Sequence, residues 1–153
     1  MADLRELYQQ VIMEHDRSPR NFRQLPDANR RAEGFNANCG DEIILELRVE
    51  GDRIADVAFR GAGCAISKAS SSLMTEAVKG KTTTEASTLF RAFHDMVTSR
   101  PDAPVGGTLG KLAAFGGVRA YPARVKCASL AWHTLRAALD GQAAPVTTDS
   151  GRD

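Results

Sequence analysis

Gly61-Ala62-Gly63-Cys64-Ala65-Ile66-Ser67 closes one strand-like run and opens a helix-like one, with a cysteine at the junction. Upstream, Ile54 to Arg60 reads as a strand with Ala55, Val57 and Phe59 on one face. Downstream, from about Ala65 to Lys79, Ile66, Ala69, Leu73 and Ala77 repeat at helical spacing, and Gly80 supplies a stop. Gly61 and Gly63 free the backbone for a sharp exit from the strand. Cys64 is thereby presented to whatever lies beyond the end of the sheet. The serines of this helix (Ser67, Ser70, Ser71 and Ser72) are small enough for close packing or for an open thiol pocket.

On the N-terminal side, Ile43, Leu45, Leu47 and Val49 alternate with Ile44, Glu46, Arg48 and Glu50, the pattern of a half-buried antiparallel strand. Gly51-Asp52 joins it to the Ile54 strand as a hairpin. Before it, Asn36-Ala37-Asn38-Cys39-Gly40-Asp41 has the composition of a tight turn, and Gly34-Phe35-Asn36 is expected as a short strand. Leu4, Leu7, Tyr8, Val11 and Ile12 predict an N-terminal amphipathic helix, capped by Asp3 with Glu6 and ending near His15-Asp16 ahead of Ser18-Pro19. Pro19 to Ala32 reads as a wrapping loop.

On the C-terminal side, Thr83 or Thr84 is the expected cap of a helix whose stripe is Ala86, Leu89, Phe90, Phe93 and Val97. A Pro/Gly-rich connector follows from Ser99 to Gly107. Leu109, Leu112, Ala113 and Phe115 predict a short helix closed by Gly116-Gly117. Pro122 is suited to the first position of a last helix, which buries Ala128, Ala131, Trp132, Leu135 and Leu139 and stops at Gly141. The order defines an α+β fold: a small antiparallel sheet of two or three strands, packed on one side by about five helices. Residues 1–140 form a single domain, and 141–153 are expected to be a disordered tail.

Composition narrows the function. At 153 residues, 42% hydrophobic and 25% charged, the chain is an ordinary globular domain. A net charge of +1 gives no footprint for nucleic acid or a membrane surface. No apolar run is long enough to span a bilayer, and Asp3, Arg5 and Glu6 interrupt any signal-peptide pattern, so a cytoplasmic location is expected. Three cysteines cannot all pair, in keeping with a reducing compartment.

Those cysteines carry the chemistry. Cys39 and Asp41 flank one glycine in a turn, where both side chains can face one point. Cys64 precedes a helix and Cys127 lies early in the last one, and helix N-termini favour thiolates. Three thiolates and one carboxylate suit tetrahedral zinc, and the softness of sulfur equally permits an iron–sulfur cluster. The plainer reading is three buried or merely accessible cysteines. The glycines beside Cys39 and Cys64 weigh against it, because a core cysteine needs no backbone freedom next to it.

At these residues the chain resembles a known family. Asn36 to Asp41, Gly61 to Ser70 and Arg124-Val125-Lys126-Cys127-Ala128-Ser129-Leu130-Ala131-Trp132-His133 are similar to the three cysteine motifs of the IscU-like iron–sulfur assembly proteins. The segment His15 to Asn21, ending Pro19-Arg20-Asn21, resembles that family's exit from its first helix. Within the family the likeness is to the SufU branch. IscU-type scaffolds carry a histidine directly before the third cysteine, whereas here that position is Lys126, with Arg124 three residues before the thiol. Ser99 to Gly117 resembles the insertion that marks this branch.

The resemblance implies zinc held by Cys39, Asp41, Cys64 and Cys127, and a sulfurtransferase acting beside a SufS-type pyridoxal-phosphate cysteine desulfurase. It implies Cys39 as sulfur acceptor, displaced from zinc by a desulfurase histidine, and a downstream cluster scaffold as recipient. Arg124 is expected to pair with Asp41 or the released thiolate; its plainer role is a solvated surface charge. The alternatives are a scaffold on which the same thiols assemble a [2Fe–2S] cluster or hold iron, and an adaptor with structural zinc that activates the desulfurase by docking. His15 and His94 read as structural, His133 as a surface or partner-contact residue, and Trp132 as core. Lys68 and Lys126 read as solvated lysines near the thiols.

Overall fold

A computed structural model of the protein describes residues 4–100, 102–103, 107–141 and 145–148. The chain runs through α1 (Leu4–Arg17), β1 (Arg30–Asn36), β2 (Asp41–Glu50), β3 (Arg53–Ala62), α2 (Ala65–Val78) and α3 (Thr83–Thr98). A 3₁₀ segment (Gly107–Ala120), α4 (Pro122–Asp140) and β4 (Val146–Thr147) complete it. The strands form one sheet in the order β3-β2-β1-β4.

Alternation does what it predicts in β2: Ile43, Leu45, Leu47 and Val49 are buried against the helices, while Ile44, Glu46 and Arg48 face the other way, half-buried. β3 departs from simple alternation. Arg48 pairs with Asp56 but Val49 pairs with Ile54, so Ala55 is an extra residue on β3. That bulge turns Ile54 onto the same buried side as Val57, and Ala55, expected inward, stays half-exposed.

The expected two or three antiparallel strands become four in a mixed sheet. β4 runs parallel to β1, with Gly34 opposite Val146 and Phe35 opposite Thr147. A two-residue strand carries no periodicity to read, so its pairing is a tertiary event. The Thr148 N–H donates to the Phe35 carbonyl at 3.2 Å. Residues 142–144 and 149–153 of the expected tail lie outside the described residues.

α2 and α4 lie on the sheet, and α1, α3 and the 3₁₀ segment pack outside them. Phe93 stacks on Trp132 at 4.8 Å and meets Phe115 edge-on at 5.8 Å, tying α3, α4 and the 3₁₀ segment together. Thr82, rather than Thr83 or Thr84, caps α3. Glu85 lies three residues beyond it, and the two residues bond each other's backbone reciprocally. The short helix expected around Leu109 is a longer 3₁₀ segment broken at Gly110. The α2 serines are packing groups: the Ser70 hydroxyl donates to the Ala128 carbonyl at 2.6 Å, which draws α2 against α4.

Candidate metal centre

Three elements converge at the open end of the sheet. Cys39 sits in the turn from β1 to β2, where its N–H donates to the Asn36 carbonyl and that of Gly40 to Ala37, each at 3.2 Å. Gly40 takes φ +68°, a left-handed value that allows the chain to reverse there. Asp41 opens β2 and pairs with Asn36 across the hairpin. Cys64 is the N-cap of α2, its sulfur accepting the Ser67 N–H at 3.4 Å. Cys127 faces them from the second turn of α4.

The side chains meet closely. The sulfurs of Cys39 and Cys127 are 2.9 Å apart. Ligand atoms of Cys39, Asp41 and Cys127 all lie within 4.8 Å of one another. Cys64 closes the group through Asp41: its N–H donates to Asp41 Oδ1 at 2.8 Å, and its sulfur is 3.8 Å from Oδ2. All three cysteines are free, and 2.9 Å is well beyond a disulfide bond of about 2.05 Å. Arg124, expected beside Asp41, is exposed instead, with its guanidinium 5.1 Å from the Tyr121 ring centroid.

Protons divide unevenly among the thiols. A hydrogen bond from Cys127, aided by the Ser67 N–H and opposed by burial, lowers the Cys64 thiol to about 7. The same bond to Cys64, then burial and the bond to Cys39, push the Cys127 thiol well above its ordinary range. The expected thiolate bias therefore holds for Cys64, the cap of its helix, and not for Cys127. Cys127 stands more than a turn inside α4, beyond the free N–H groups of the helix end.

The donor set fits a metal. Zinc holds sulfur and oxygen at about 2.0–2.3 Å, so two ligands of one ion stand within roughly twice that distance. The spread among Cys39, Asp41 and Cys127 is of that order. Asp41 is 2% exposed and Cys127 likewise, and burying a carboxylate among sulfurs is costly unless a cation or donors compensate it.

Two further residues act on the site beyond the turn-forming roles that the sequence gives them. Gly63 has φ +151°, and a Cβ there would strike Asp41 Oδ1 and crowd the Asp41 backbone. Asn36 is 1% exposed, and its amide nitrogen is 3.7 Å from the Cys127 sulfur. Asn36 opens the Cys39 turn motif, but its contact with Cys127 has no signal in the spacing; only the facing helix reveals it. His94 and His133 lie elsewhere, in an aromatic group with Phe90 between α3 and α4. Lys68 lies over the Phe22 ring.

A mixed sheet under helices, with cysteines at a hairpin turn, a helix cap and a facing helix, defines a cysteine-site α+β protein of one family. The chain belongs to the NifU-like N terminal domain family, matched over residues 7–139. It is 42% identical over 135 residues to the zinc-dependent sulfurtransferase SufU of Bacillus subtilis (strain 168), covering 88% of this chain and 90% of that protein. It is 40% identical over 139 residues to the iron-sulfur cluster assembly scaffold protein IscU of Streptococcus pyogenes serotype M1, covering 91% and 86%. The crystal structure of FiSufU from Fervidobacterium islandicum AW-1, described as an iron-sulfur cluster assembly scaffold protein for the SUF system, matches with a TM-score of 0.79 at 36% identity. That match covers 88% of this chain and 97% of the other. Among the described residues, no helix is long and apolar enough to cross a membrane.

Proposed function

We propose that this chain serves iron–sulfur cluster assembly as a zinc-bound sulfur acceptor, taking sulfur from a cysteine desulfurase onto Cys39. One observation carries the reading: Cys39 is the site's only sulfur on a turn, while Cys64 and Cys127 are held by helices α2 and α4. Cys39, Asp41, Cys64 and Cys127 would hold the ion. Zinc bound there keeps its thiol ligands deprotonated at neutral pH and does not change redox state.

The residues supply the rest. Cys39 leaves the group by movement of its turn, with Gly40 taking up the backbone change. Its thiolate attacks the outer sulfur of the donor's persulfide. The new S–S bond forms on Cys39 as the donor's S–S bond breaks, and the donor departs as a thiolate. No electrons are gained or lost overall. Asp41, Cys64 and Cys127 keep the centre closed meanwhile. Arg124, on the first turn of α4 with its guanidinium 5.1 Å from the Tyr121 ring centroid, would move toward the charge that Cys39 carries once released. A SufS-type desulfurase fits as donor, and a cluster scaffold as recipient.

The test follows zinc, alanine and protein mass together after mixing the protein with a cysteine desulfurase and cysteine. A colourless protein with one zinc, gaining one sulfur on Cys39, supports the acceptor. Desulfurase activation that survives in Cys39→Ala overturns it and leaves a docking adaptor with structural zinc. A brown protein carrying iron and sulfide, as the IscU relationship allows, would instead make the site a cluster scaffold.

A further inference from the structure

Asn36 meets three of the four residues of the centre, Cys39, Asp41 and Cys127. Its backbone carbonyl receives the Cys39 N–H at 3.2 Å. It is the β1 residue opposite Asp41. Its amide nitrogen lies 3.7 Å from the Cys127 sulfur, across the gap between sheet and α4. The side chain is buried, and its Oδ1 has no hydrogen-bond partner among the described residues. A buried amide with one group unsatisfied is a cost to the fold, and at a position meant only to fill space an apolar residue would avoid it.

Hydrogen bonding to sulfur has a definite consequence. A thiolate only accepts, so a charged Cys127 sulfur fixes which end of the Asn36 amide faces it. An N–H donated to a thiolate stabilises its charge and reduces its nucleophilicity. The Cys39 sulfur is met instead by that of Cys127, whose thiol donates to it at 2.9 Å in the metal-free arrangement.

We infer that Asn36 is a positioning residue that gives the two neighbouring sulfurs different tasks, holding Cys127 as the retained metal ligand and leaving Cys39 as the one that reacts. The inference rests on the zinc-bound acceptor reading and deepens it. Cys39 and Cys127 are in contact, so proximity alone does not select between them. The amide does, because it is anchored at the base of the turn and its nitrogen reaches the Cys127 sulfur. When the turn opens, Cys39 moves away and Cys127 keeps its donor.

The experiment compares the full-length protein with Asn36→Ala, Asn36→Asp and Asn36→Ser. Zinc affinity is read by competition with a chromophoric chelator, and the cobalt-substituted forms are read by their thiolate charge-transfer band. Glutathione persulfide then serves as sulfur donor: a cysteine thiolate takes its outer sulfur, and glutathione leaves as thiolate. Peptide mapping locates the added sulfur. Native protein should carry it on Cys39. Asn36→Ala should spread it to Cys127 and weaken zinc about tenfold, the lower range for losing a group that orients a ligand. Asn36→Asp, close in shape but without the donor, should shift the cobalt band and weaken zinc further. Asn36→Ser, which keeps a donor, should restore much of the selectivity and guards against misfolding of the alanine form. Variants that match native protein in affinity, cobalt band and sulfur position would overturn the inference. If native protein itself takes no zinc, or takes no sulfur on any cysteine, the acceptor reading fails and the inference falls with it.

Discussion

The α1–α2 seam and the open end of the sheet both bury polar side chains, yet they are finished to different degrees. At the seam, Ser72 serves two partners: its hydroxyl meets His15 Nδ1 at 2.7 Å and accepts the Arg20 N–H at 2.8 Å. Thr75 donates to the Ser72 carbonyl at 2.7 Å and accepts from the Asn21 amide at 3.1 Å. Glu76 stands 3.8 Å from His15 Nε2. The chain completes this cluster by itself, and the cluster acts as cement. At the sheet end, Asp41 is packed among three thiols, two sulfurs are in contact and the Asn36 oxygen has no partner among the described residues. Among the described residues that cluster is left incomplete, as a possible metal site would be. A buried polar group whose partners are all internal points to structure; one that lacks a partner points to a ligand.

Zinc removal tests the contrast most strongly. Binding at about a thousand times Kd contributes about 4 kcal/mol, so chelation should lower Tm by roughly 10 °C for a chain of this size. Hydrogen exchange should rise around the Cys39 turn and the start of α2, and not at the seam. An unshifted Tm would remove the difference between the two clusters.

Gly63→Ala comes next. Its Cβ would enter the space of Asp41, at a backbone angle of +151° that alanine resists. A stability loss of about 3 kcal/mol is expected, with zinc affinity lowered at least about tenfold. Native zinc affinity in a folded Gly63→Ala protein would show that Asp41 is not held where the metal needs it.

Ser72→Ala is the mirror experiment. It leaves the Arg20 N–H and His15 without their shared partner, at a cost of about 2 kcal/mol. Zinc affinity should stay native; a tenfold change would mean that the clusters are coupled through α2.

The smallest effect is a pH dependence. Burial first, then the nearby Arg20 guanidinium, lowers the His15 pKa below its ordinary 6.5. The unfolded chain therefore binds a proton more readily than the folded one. The stabilisation is complete above pH 6.5 and is lost as pH falls through the lowered folded value. Urea titrations of the zinc-free protein should show this decline, and His15→Gln should flatten it. A decline that persists in His15→Gln would place the acid sensitivity at another group.

Much of the site was legible because its signals are local. Cys39-Gly40-Asp41 and Gly63-Cys64 are thiols placed beside backbone freedom, a pairing that core packing does not require. Arg124 was read from helical spacing together with the SufU-branch likeness; spacing fixes a face of α4 but not the direction of a long side chain, and the side chain lies against Tyr121. Asn36 stayed unread because its partner is 91 residues away. The bulge at Ala55 was equally invisible, because alternation assumes an unbroken register.

By itself the sequence determined the α+β order, the hairpin and the bounds of α1 to α4 to within a residue or two. Each of these follows from periodicity, capping and glycine placement within a few neighbouring residues. Only the tertiary structure decided that β4 joins β1 in parallel, that the α2 serines bind helices together, and that Cys127 is held above its ordinary range while Cys64 is held below. Those outcomes depend on which distant groups share a buried space, and a proton or a hydrogen bond responds to that space rather than to its neighbours in the chain.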